Sequence, residues 1–149
     1  TLDEADIDNS TPNKDRDQAN SYKLIPGHTY DKDPIVHVDA DSENCWLFVQ
    51  VTNEIAAIEA DTNKVASQMA NNGWSLIEGT SDVYALAAPV AGGTDHTVFT
   101  TFTVSGTVDN NTLATYDGKT IVVTAYAVQA DGFDTAADAW SNTFGASST

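Results

Sequence analysis

Over most of this chain, apolar positions recur at alternate residues or in short unbroken runs, the spacing of strands. The stretch from Lys23 to Thr52 sets the frame. Within Leu24-Ile25-Pro26-Gly27, Pro26 presets φ and Gly27 accepts φ > 0, which predicts a type II turn. Pro34 stands at a strand start, where its missing N–H costs no ladder bond. Ile35, Val36 and Val38 begin that strand, and a polar hinge runs from Asp39 to Asn44. Cys45-Trp46-Leu47-Phe48-Val49-Gln50-Val51 is the most apolar strand in the chain. Such a run predicts burial on both faces, or a helix covering one of them.

The rest of the chain reads in the same way. Asn53 to Glu59 is ambiguous. Asp61-Thr62 predicts a helix start, because either side chain accepts from free first-turn amides. Val65 and Met69 lie four apart on that helix, and Asn71-Asn72-Gly73 stops it, with Gly73 suited to a left-handed C′ position. Trp74–Ile77 and Val83–Leu86 predict a strand pair. His96 to Val104 predicts one strand with Val98, Phe102 and Val104 on a common face. Asp109-Asn110-Asn111 and Asp117-Gly118 are turn signals. From Lys119 to Gln129 runs a long strand, with Ile121, Val123, Ala125 and Ala127 on one face and Val122, Tyr126 and Val128 on the other. A second short helix follows, capped by Asp134 or Thr135, with Phe133, Ala136, Ala137, Trp140 and Phe144 as its apolar stripe.

Six to eight strands, two short helices and frequent turns predict a mostly β fold: an antiparallel two-sheet sandwich, jelly-roll-like, with helices in connections and at the C-terminus. The expected organisation is an acidic arm or loop over residues 1–22, one sandwich domain over 23–145, and a frayed tail over 146–149. A length of 149 residues fits one domain with a sizeable core.

Charge narrows the partners. Six Lys and Arg face 22 Asp and Glu, a net charge of −16. Such a surface repels nucleic acid and anionic membranes, since phosphate contacts need cations. It suits solubility, and it attracts divalent cations. No apolar run approaches the roughly 18 residues of a membrane span, and none reads as a secretory leader, so any leader is expected to have been removed. Cys45 is the single cysteine, which excludes an internal disulfide.

Motifs for catalysis are missing from the sequence. His28, His37 and His96 are far apart, and no His-Glu-x-x-His helix, Gly-x-Ser-x-Gly elbow or phosphate-binding glycine loop is present. His37 alternates with Val36 and Val38 and reads as a strand residue facing solvent or a sheet surface. Cys45 precedes an apolar strand beside no basic residue, so it reads as structural rather than nucleophilic. Asp6, Asp8, Asp15 and Asp17 resemble fragments of a calcium loop. The sixth and twelfth positions counted from Asp6 hold Thr11 and Asp17, not the Gly and Glu of an EF-hand. A solvated acidic loop is the competing reading. Trp46 and Trp140 sit in apolar patterns that read as core, whereas Trp74, following Gly73, is the candidate for an exposed ligand-binding ring, as in a carbohydrate-binding module.

Two stretches carry a family likeness. Lys23 to Val51 (KLIPGHTYDKDPIVHVDADSENCWLFVQV) and Asp117 to Trp140 (DGKTIVVTAYAVQADGFDTAADAW) resemble Gram-positive secreted proteins with SipW-dependent signal peptides, the TasA/camelysin-like group. The resemblance implies an extracellular sandwich whose characterised relatives build biofilm matrix fibres, with an N-terminal segment of one subunit adding a strand to the next. Applied to this chain, it implies self-association without catalytic residues, carried by the Leu2-to-Ile7 arm and the edge that arm meets. Some relatives are labelled metallopeptidases, but this sequence lacks a metal-binding helix motif. The group's short apolar strand after the leader is expected to end at or just before the acidic opening TLDEADID.

Overall fold

The computed structural model describes residues 1–5, 16–17 and 23–144, with only the backbone described for residues 5, 16 and 17. The strands are β1 (Leu2–Ala5), β2 (Arg16–Asp17), β3 (Thr29–Asp31), β4 (Ile35–His37), β5 (Cys45–Asn53), β6 (Trp74–Leu76), β7 (Val83–Leu86), β8 (Asp95–Thr97), β9 (Thr101–Thr103) and β10 (Ile121–Gln129). The α-helices are α1 (Val65–Asn71), α2 (Asn110–Ala114) and α3 (Ala136–Phe144). One sheet has the order β2-β1-β4-β8, a second β10-β5-β7-β6, and β3 and β9 form a two-stranded ribbon. Every pairing is antiparallel. The fold is a mostly β, antiparallel sandwich with short helices, as the alternation of apolar positions predicts.

β5 is the element on which both cores are built. Its odd positions Leu47, Val49 and Val51 join Val36, Phe99, Phe102, Val104 and Ile121 in the core between the sheets. Its even positions Trp46 and Phe48 join Val83, Ala85, Val128 and Trp140 on the opposite face of the same sheet. That second face stays dry because α3 lies across it. Trp140 packs with its ring centroid 5.1 Å from Phe48, 5.5 Å from Tyr126 and 4.3 Å from Phe144. The Trp140 indole N–H finds no acceptor among the described residues, so the ring contributes by packing. Truncating a wholly buried ring such as Phe48 to Ala costs about 3–5 kcal/mol.

Local chemistry sets the helix ends. The Asp134-or-Thr135 cap of α3 resolves to Thr135, whose Oγ1 accepts from the Asp138 amide at 3.1 Å. The apolar stripe differs by one position: Ala139 is fully buried and Ala137 is exposed. α1 begins later than Asp61-Thr62, and neither side chain caps it. Instead Glu59 Oε2 accepts from the Val65 amide at 2.9 Å while Glu59 Oε1 accepts from Asn53 Nδ2. A residue six positions upstream thus does the work of an N-cap, and residue-by-residue cap rules do not see it. Gly73 ends α1 at φ 92°, as its left-handed tolerance predicts. The turn signal at Asp109 proves to be a third helix, α2: Asp109 Oδ1 accepts from the Thr112 amide at 2.6 Å and starts a single helical turn.

The expected strand from His96 to Val104 is two strands. β8 pairs with β4, and β9 pairs with β3. Between them Val98 and Phe99 are both fully buried and belong to neither strand, so the chain leaves one ladder and joins the other across a buried step. Polar side chains of α1 and of its C-cap residue satisfy the backbone at this break. Gln68 Oε1 accepts from the Thr100 and Thr101 amides at 3.0 and 3.2 Å, and Gln68 Nε2 donates to the Thr101 carbonyl at 2.8 Å. Asn72 Nδ2 donates to the Val98 carbonyl at 3.1 Å.

Candidate functional site

The long strand β10 lies at one end of its sheet and pairs with β5 alone. The register Ile121↔Asn53 to Gln129↔Cys45, with the flanking bonds Glu54 N–H to Thr120 O and Ala130 N–H to Asn44 O, fixes which way each amide points. Even-numbered residues of β10 turn their N–H and C=O toward β5. Odd-numbered residues, Val123, Ala125 and Ala127 among them, turn theirs outward, to an edge with no partner strand among the described residues. An edge of nine residues is long for an uncovered one.

A groove of about 440 Å³ runs along this edge. One wall is β10 from Val123 to Ala127, and the other is built by Thr1, Leu2, Val36 and His37, with Leu47 between them. The site is thus a strand edge beside a partly apolar trough, with the first residues of the chain on its far side.

β1 forms that far wall and is tied down at several points. Thr1 N donates to the His37 carbonyl at 2.8 Å, and the His37 amide donates to the Thr1 carbonyl at 2.7 Å. Leu2 lies opposite Val36 and Asp3 opposite Ile35. Leu2 is half-buried against the main core. Glu4 is buried and its Oε2 lies 2.8 Å from Lys32 Nζ, which is buried as well. On the outer face, His37 bridges three strands. Its Nε2 lies 2.9 Å from Asp3 Oδ1 on β1, and its Nδ1 lies 2.8 Å from Asp95 Oδ1 on β8. The hydrogen bond to Asp3, then the one to Asp95, raises the His37 pKa above its ordinary 6.5. His96 shows the opposite effect: burial lowers its pKa below 6.5.

The residues singled out in the sequence are distributed unevenly. Leu2 stands in the groove wall. Ile7, Asp6, Asp8 and Asp15 lie outside the described residues, as does the tail over 146–149. Asp17 belongs to β2 and lies opposite Glu4 in the register. Trp74 is corrected outright: it is 2% exposed, and its Nε1 donates to the Thr97 carbonyl at 2.9 Å. Position 74 falls on the inward face of β6, so the ring fills the core and offers no platform to a ligand. Cys45 is buried, and burial pushes its thiol pKa up, away from nucleophilic chemistry. Among the described residues no three His, Cys, Asp or Glu side chains converge to hold a metal ion.

Neither the two carboxylates around His37 nor the Glu4–Lys32 pair is legible in the sequence. A histidine set between valines in a strand was the only local signal. Its partners lie 34 and 58 residues away in sequence and meet it only when β1 and β8 flank β4. No helix among the described residues is long and apolar enough to cross a membrane. Family models, curated proteins and solved structures yield no match to this chain.

Proposed function

We propose that this chain is a secreted structural protein, a subunit of a cell-surface or extracellular-matrix fibre that assembles by addition of a β-strand from one subunit to the next. The observation that carries the reading is the outward-facing edge of β10 beside its groove. An added strand gains main-chain hydrogen bonds from the odd-numbered residues and places alternate side chains in the trough. The resemblance of the Lys23–Val51 and Asp117–Trp140 stretches to fibre-forming secreted proteins supports the same reading. So does a chemistry in which no catalytic constellation is needed: the subunit acts by associating with its own kind. The ligand-binding alternative loses its anchor with the burial of Trp74.

Subunits of net charge −16 repel one another until counterions screen them. Calcium is the ion proposed to permit close packing. Negative-stain imaging and light scattering of the secreted protein across calcium and salt concentrations test the proposal. Fibres whose growth rises with calcium support it, and a strictly monomeric product under every condition overturns it.

A further inference from the structure

Resting on this strand-addition reading, the inference concerns how the groove is controlled. His37 sits at the junction of β1, β4 and β8 and touches a carboxylate on each strand that flanks β4. We propose that His37 is a latch on β1: with both ring nitrogens protonated it clamps β1 to the sheet, and on deprotonation it loosens that grip and opens the groove wall to an incoming strand.

The geometry dictates the sense of the switch. A protonated imidazole donates from both nitrogens, so the contacts at 2.9 Å to Asp3 and 2.8 Å to Asp95 are both charge-assisted. A neutral ring keeps one proton. Its other nitrogen then presents a lone pair to a carboxylate oxygen less than 3 Å away, and that contact becomes repulsive. Folding raises the affinity of this ring for its proton, so the stabilisation is complete below pH 6.5 and is lost as the pH rises through the raised value. The other titratable groups at this seam are the Thr1 α-amino group, which donates to the His37 carbonyl at 2.8 Å, Glu4 on β1, held by Lys32, and His96 on β8, whose ring accepts from or donates to Thr94 Oγ1 at 2.8 Å; the His37→Gln comparison separates the ring from the amino group. Asp39 follows two residues after His37 along the groove.

The seam between β1 and β4 is short. Its register covers Leu2↔Val36 and Asp3↔Ile35, continued by the Thr1–His37 backbone pair. The alternation of the ladder assigns the odd amides of β4 to β1 and the even ones to β8, as Val38 N–H to Thr94 O shows. The amides of Asp3, Ile35 and His37 therefore report opening of β1, and that of Val38 reports the β4–β8 seam.

Hydrogen exchange of the full chain, corrected for intrinsic rates and followed residue by residue from about pH 6 to about pH 8.5, tests the latch. The expected result is a roughly threefold to tenfold rise in the open population at Ile35 and His37, with Val38 unchanged. His37→Gln, which hydrogen-bonds without titrating, flattens this pH dependence, and Asp95→Asn weakens it. Opening of β1 that is independent of pH in the wild type, or an equal rise in His37→Gln, overturns the latch. Fibre growth is scored separately by light scattering. PH-dependent opening without fibres at any pH overturns the assembly reading and supports the latch, so the two failures are distinguishable.

Discussion

Lys32 Nζ lies 2.8 Å from Glu4 Oε2, and both side chains are almost wholly buried in a chain that carries only six Lys and Arg. The pair ties the strand nearest the groove to the segment that follows β3. Removing one member of a buried ion pair typically costs about 3–5 kcal/mol. Lys32→Met is therefore expected to destabilise the protein by about 3 kcal/mol in urea unfolding. Lys32→Met combined with Glu4→Gln is expected to recover part of that loss, because the buried carboxylate is then removed together with its lysine.

Gln68 holds the break between β8 and β9 together. Its carboxamide spans the Thr100 and Thr101 amides and the Asn63 and Thr101 carbonyls. Gln68→Ala leaves backbone groups beside the fully buried Phe99 without those partners. At about 0.5–1 kcal/mol for each of these four bonds, the expected cost is about 2–4 kcal/mol by denaturant midpoint, with an unchanged m-value. Gln68→Glu keeps the two acceptor contacts and sets a carboxylate against two carbonyls, so it is expected to be nearly as damaging.

How much of this was legible follows from the range of each interaction. β5, β10, α1 and α3 were readable because their signals are local: an apolar run, a two-residue alternation, a three-or-four spacing. The two faces of β10 divide as its alternation predicts, with Ile121, Val123 and Ala125 in one core and Tyr126 and Val128 in the other. The break at Val98–Thr100 was not readable, because the groups that satisfy it are on a helix some thirty residues earlier. The burial of Trp74 is hidden for a related reason. Its neighbour Gly73 suggested exposure, but the inward face of a strand is decided by the sheet it joins. The groove is half legible: Leu2 is an apolar residue in an acidic opening, whereas the edge it faces is defined only by the strand order.

The histidines offer a check on the electrostatics. By NMR titration His37 is expected to titrate above 6.5 and His96 below it. Asp3→Asn is expected to lower the His37 midpoint and leave His96 unmoved, since the Asp3 contact is the largest cause of the His37 shift. The stability linked to His37 is present in full below pH 6.5 and declines as the pH rises through its raised value, so Asp3→Asn is expected to flatten the fall in stability on the alkaline side.

The claim on which the account turns is strand addition at the β10 edge, and two proline substitutions isolate it. Ala127 is exposed, and its N–H points away from β5, so Ala127→Pro removes an outward donor and is expected to cost the monomer about 1–2 kcal/mol. The Thr124 N–H points into the β5 ladder, so Thr124→Pro is expected to destabilise the fold itself. Electron microscopy of the secreted wild type and Ala127→Pro, side by side at matched calcium, is the most direct measurement. The account predicts fibres from the wild type and folded, non-assembling monomers from Ala127→Pro. Equal fibre formation by both proteins would contradict it.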